Sequence, residues 1–244
     1  MKSKVILSVV ILLFAGYNLS YAQLFPSLAI SGGVTAGWHF MKTDDLNSEL
    51  KKAGFPEVST NGFFTLGGGG FIDLPLKKNF IRVGGFGMSF STNLTKQVND
   101  TMSKAVTYSY GMGGISIEFV KPIHNFDITF GAQFATGSLS LDLYQYGASY
   151  GNWNNIFGET GSNSSSSNIT RNFKVRFYSV QPQIGFGLLL KKFIYLKLNA
   201  GYLLSTNSTW KVDNDVEVQN VPSGIKTDGF NISLGLNVGL FFRE

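Results

Sequence analysis

Two histidines and no cysteine limit the chemistry this chain can do. Without Cys there is no disulfide, no thiolate zinc site, no Cys nucleophile and no thiol to carry a lipid. His39 is the one candidate general base with hydroxyl and carboxylate groups near it in sequence, namely Ser31, Asp44 and Asp45. A triad needs the three in mutual hydrogen-bond reach, and nothing in this spacing enforces that. His124 has no such company. Asp213, Asp215 and Glu217 are acidic but lack calcium-loop spacing. Glycines gather at Gly67–Gly70, Gly84, Gly85, Gly87, Gly111, Gly113 and Gly114. A phosphate loop would need a Gly-Lys-Ser or Gly-Lys-Thr run opening a helix, and none is present. No catalytic residue, cofactor site or metal site is therefore expected. The remaining chemistry lies in polar groups at alternate positions: Arg82, Asp127, Gln133, Lys174, Arg176, Gln181, Gln183, Lys197, Asn199, Asn231 and Asn237. On one face of a closed sheet these would make either a satisfied internal network or a narrow water path that selects by charge.

The elements that would position them are strands. From Asp228 to the end, Phe230, Ile232, Leu234, Leu236, Val238, Leu240 and Phe242 alternate with small or polar residues. A period of two gives one apolar face and one polar face. The run exceeds an ordinary strand of about five or six residues and suits a bilayer-spanning strand of roughly nine to eleven plus its rims. Seven further strand-like segments precede it, near 27–40, 60–74, 79–92, 104–120, 126–144, 171–190 and 193–205. The third and fourth are ambiguous in register, and bulges are expected at Gly84–Gly85 and Gly113–Gly114. The glycines of strands two to four form one thin patch, read as relief of crowding in a narrow barrel or as a groove for the loop-one helix or a partner.

The connections alternate in length. Leu74–Asn79, Lys121–Asn125 and Lys191–Lys192 are short; 41–59, 93–103, 145–170 and 206–226 are long. An even-stranded barrel with both ends in the periplasm sorts its loops in this way. The first long loop should hold a helix from Asp44 to Ala53 with Leu46 and Leu50 on one face, and the fourth a protruding hairpin. Gly161–Asn168 is a Ser/Asn-rich stretch of the third. Phe126, Phe193, Tyr195 and Phe242 near the short turns, and Trp38, Phe40, Tyr108, Tyr110, Phe177, Tyr202 and Phe230 near the long loops, are expected to supply aromatic girdles.

Lys2 and Lys4, the apolar run Val5–Gly16, and Ser20 and Ala22 before a cut read as a signal peptide, 1–22, leaving a single domain over 23–244. No later stretch is long and apolar enough for a membrane helix, and the small basic excess argues against nucleic acid. The expected fold is all-β: an eight-stranded antiparallel up-and-down transmembrane β-barrel with one short helix in the first long loop. With the closing run Leu240–Glu244, these features resemble the small outer-membrane β-barrel proteins of Gram-negative bacteria, in particular the generic outer-membrane β-barrel domain families that include PorT-like proteins. The resemblance implies outer-membrane lipid as surroundings and assembly through the C-terminal strand. It leaves function open between a non-enzymatic structural or interaction barrel, a narrow porin-like channel and a lipid-modifying enzyme. A soluble lipocalin-type barrel is the rival fold, and it would need the reverse polarity of the last strand. Asp100, Thr101 and Met102 resemble a short O-glycosylation signal of some outer-membrane lineages.

Overall fold

The computed structural model describes residues 28–147 and 168–241. The elements are β1 (Ala29–Met41), α1 (Asp44–Lys52), β2 (Phe63–Leu76), β3 (Asn79–Asn99), β4 (Met102–Ile123), β5 (Phe126–Gly147), β6 (Ile169–Lys191), β7 (Ile194–Asn207), β8 (Lys211–Val212), β9 (Val216–Glu217) and β10 (Gly229–Phe241). Each long strand pairs antiparallel with its neighbour in sequence. β10 then pairs with β1, closing an eight-stranded ring of β1–β7 and β10. The signal-peptide segment, Phe242 and the Ser/Asn-rich stretch lie outside the described residues, apart from Asn168.

The wall has a girdle-to-girdle apolar exterior. Phe230, Ile232, Leu234, Leu236, Val238 and Leu240 point outward on β10, while Asn231, Ser233 and Asn237 are buried inside. Ile30, Val34, Phe64, Leu66, Ile115, Ile117, Phe130, Phe134, Ile184, Phe186, Leu198 and Leu204 continue the exposed band around the ring. A 13-residue strand such as β10, rising about 3.3 Å per residue and tilted about 45°, covers about 30 Å, the thickness of a bilayer's hydrocarbon core. The ring leaves no free edge within that band, which is what a sheet surrounded by lipid requires.

β3 to β6 are far longer than β1, β2, β7 and β10, so one wall of the barrel stands beyond the band at the long-loop end. This corrects two expectations. The segment 93–103 is not a long loop: β3 and β4 run on as a ladder to a tight turn at Asp100–Thr101, with Thr101 exposed at its tip. Nor are there bulges at Gly84–Gly85 or Gly113–Gly114, because the register there is unbroken and shifts only near Gln97–Asn99. The glycines keep the ladder regular by letting strands approach. A Cβ at Gly67 or Gly69 would strike the backbone of β3.

α1 folds into the long-loop mouth. Its N-cap Thr43 donates its hydroxyl to the Ser59 carbonyl (2.9 Å), and Asn47 pins Val58 through both of its backbone groups (2.9 and 2.8 Å). Gly54, at φ +74°, turns the chain after the helix. Leu46 and Leu50 are buried under it. The fourth connection carries the β8–β9 hairpin, and β8 docks on the upper edge of β6.

Candidate functional site: a lumen filled in two tiers

The lumen near the short turns is ionic. Asp73 and Arg82 are register partners on β2 and β3, and Arg82 and Glu118 are partners on β3 and β4, so three charged residues line up across neighbouring strands. Arg82 forks onto Asp73 (Nε–Oδ1 2.6 Å, Nη2–Oδ2 2.9 Å) and donates Nη1–H to the Tyr195 hydroxyl at 2.8 Å. Asp127 closes the group, 3.6 Å from Arg82 and hydrogen-bonded to Tyr195. The guanidinium is sandwiched by rings, 3.8 Å from the Phe71 centroid and 4.9 Å from that of Tyr195. Such a planar, bidentate, stacked arrangement is specific to arginine.

A second ion pair lies above it. Lys197 reaches both Glu118 oxygens (2.6 and 2.5 Å), and Gln183 donates its amide to the same carboxylate. Gln181 in turn donates to Gln183 at 3.4 Å. Gln133, Asn199 and Asn237 line the lumen around a recess of about 70 Å³ that Arg82 and Lys197 also border. All the carboxylates and Arg82 are fully buried. Removing charge from water is costly unless the partner is held in good geometry, and here each buried charge meets an opposite one. Small residues make room for it. Gly187 lies diagonally opposite Tyr195 on the neighbouring strand, and a Cβ there would collide with the phenol.

The lumen at the long-loop end is apolar. Phe63, Phe90, Tyr110 and Phe177 stack ring on ring at 4.4, 5.4 and 5.5 Å. Met41, Met88, Val106, Tyr108, Leu139, Val175 and Leu203 surround the stack. Leu46 and Leu50 of α1, Val58 and Trp210 close it from above. His39 sits under this cap, buried and stacked on Tyr110 (5.4 Å), with Nε2 3.1 Å from the Thr227 carbonyl. Ser31 lies eight positions along the same strand, about 26 Å away at about 3.3 Å per residue, so the two cannot form a hydrogen-bonded pair. His124 occupies the β4–β5 turn at φ +55°. Among the described residues no group of three ligating side chains is placed to hold a metal.

The sequence placed Lys174 and Arg176 in the lumen, and the structure corrects this: both are exposed on the outside of β6. The β5–β6 ladder is continuous from Gln145–Ile169 to Phe126–Leu188. With Gln181 and Gln183 inward, parity therefore sends 174 and 176 outward. Val175 and Phe177 point in instead. Tyr108, Tyr110, Phe177 and Tyr195 belong to the lumen filling rather than to a girdle. Asp73 and Glu118 were missed. Glu118 was legible between the outward Ile117 and Phe119, but the glycines of strand four hid its phase.

No protein-family model matches the chain, and no curated protein matches it. Among solved structures it is similar to Ail, the attachment invasion locus protein of Yersinia pestis (11% identity, 88% of this chain and 98% of that one, TM-score 0.35). It is also similar to CarO2 of Acinetobacter baumannii (9%, 86% and 99%, TM-score 0.35) and to the outer membrane protease OmpT of Escherichia coli (9%, 88% and 95%, TM-score 0.35). At these scores the likeness carries no argument about what this chain does.

Proposed function

We propose that the chain is an integral outer-membrane barrel that works as a non-enzymatic scaffold, of the PorT-like generic kind. It would meet partners through its protruding β3–β6 wall and long loops, and be assembled through its C-terminal strand. The supporting observation is that the lumen is filled twice over, by the ionic tier around Arg82 and Glu118 and by the aromatic stack capped by α1. An eight-stranded barrel is just wide enough for side chains to fill. What remains for function is the outside and the ends. Planar-bilayer recording of the purified protein tests this: silence or small, rare openings are expected. A steady large conductance, altered by Lys197→Glu, would replace the scaffold reading with the channel reading.

A further inference from the structure

Outside the barrel, β6 changes character where it leaves the apolar band. Its outward row, rising from the short turn, reads Phe186, Ile184, Pro182, Val180, Tyr178, Arg176 and Lys174. Tyr178 is 72% exposed and ends the apolar part. Each outward step rises about 5 Å along the barrel axis at about 45° tilt, which places Arg176 and Lys174 at headgroup depth, about 5 and 10 Å above the Tyr178 ring. Among the described residues neither cation has an ion-pair partner. The nearby acids are engaged: Asp142 accepts from Asn172, Asp213 pairs with Arg171, and Asp215 pairs with Lys211. Across the sheet the two cations face hydroxyls, Arg176 opposite Ser138 and Lys174 opposite Ser140, and Lys211 flanks Lys174 on the other side.

Beneath them is a shallow, open hollow bordered by Lys174, Arg176, Tyr178, Thr136 and Ser138. Its floor has no side chains where Gly111 and Gly113 turn their backbone outward. From these observations we infer that Lys174 and Arg176 bind the phosphate headgroup of an outer-leaflet lipid whose first chain segment lies in this hollow. A cationic pair above an aromatic ring, opening sideways at the bilayer rim, faces lipid headgroups at all times. Positive charge at that depth is complementary to phosphate. Each oxygen of a phosphate monoester can accept from the guanidinium, the ammonium or the serine hydroxyls.

The inference rests on the reading of the barrel as bilayer-spanning, and the experiment separates the two. The folded protein is inserted into phosphatidylcholine nanodiscs containing either phosphatidic acid or diacylglycerol, and retained lipid is counted by native mass spectrometry. Phosphatidic acid should be retained about tenfold more than diacylglycerol, as expected for two surface cations that each strengthen attachment a few fold. The double variant Lys174→Glu/Arg176→Glu should lose that preference. The double variant Lys77→Glu/Lys78→Glu, with the same charge change at the opposite rim, should keep it, and the milder Arg176→Gln should reduce it partway. Inorganic phosphate in large excess should not displace the lipid. Undiminished preference in Lys174→Glu/Arg176→Glu, or full displacement by inorganic phosphate, would overturn the lipid site while leaving the barrel reading intact. Failure of the wild-type protein to insert at all would overturn both.

Discussion

On β3 to β6 the two ends of this barrel carry opposite polarity. Near the short turns β10 carries Leu236 outside and Asn237 inside, and β6 carries Ile184 outside and Gln183 inside. Beyond the band, β6 carries Arg176 outside and Phe177 inside, and β5 carries Ser138 outside and Leu139 inside. The strand does not slip; its surroundings change. On the proposed reading the exterior within the band is lipid, and the enclosed space takes the polar groups near the short turns and apolar ones such as Phe63 and Leu203 nearer the long loops. Above it the exterior would be headgroups and then water, and the enclosed space continues as the small core capped by α1 and Trp210. A side chain's favourable side depends on what lies beyond the wall, and on β3 to β6 the outward row turns polar where lipid would give way to headgroups and water.

Breaking the ionic tier should have the largest effect. Arg82→Leu strands Asp73 and Asp127 in a closed lumen, and one lost partner of a buried pair costs about 3–5 kcal/mol. Urea unfolding of the refolded barrel should show this as a global loss. The double variant Glu118→Gln/Lys197→Met should cost less than Glu118→Gln alone, because it leaves no unpaired charge.

The inversion itself is tested on the outside. Leu236→Arg, in the lower outward row, should cost about 2–4 kcal/mol in a bilayer-refolding assay. Ser140→Arg, in the upper outward row, should fall within about 0.5 kcal/mol. Equal penalties at the two positions would mean that the band has been drawn in the wrong place.

The apolar tier should respond locally. Leu50→Ala removes a buried contact of the cap at a cost of about 2–3 kcal/mol. The expected signature is faster amide exchange across 44–52, with the exchange of β10 unchanged. Deleting α1 alone should not create a steady conductance, since the tier around Glu118 and Lys197 still closes the path. The smallest effect is expected for Lys52→Ala, which breaks the exposed 2.7 Å pair with Glu49. Chemical denaturation should register no more than about 0.5 kcal/mol.

Much of the fold was legible in the sequence because strand patterning is local. The alternation of β1, β5, β7 and β10 gave the faces directly, and Leu46, Leu50 and Gly54 marked the helix and its end. The protruding wall was harder to see. Asn93, Thr95 and Gln97 read as loop residues because their outward row is polar and the inward positions between them, Leu94 and Lys96, mix an apolar with a charged residue, so neither face shows a clean pattern. Lys174 and Arg176 were misplaced because the rule that sends polar residues inward holds only at bilayer depth.

By itself the sequence determined that the chain pairs into long two-faced strands, eight in number, with one helix in the first connection, because period two and turn residues depend only on near neighbours. Tertiary structure alone decided which charges meet. Asp73, Arg82, Asp127 and Tyr195 come from four different strands, and their convergence depends on the register of a closed ring. It also decided where the outward row of β3 to β6 turns polar, because that depends on how far each strand runs beyond its shorter neighbours, which no local pattern encodes.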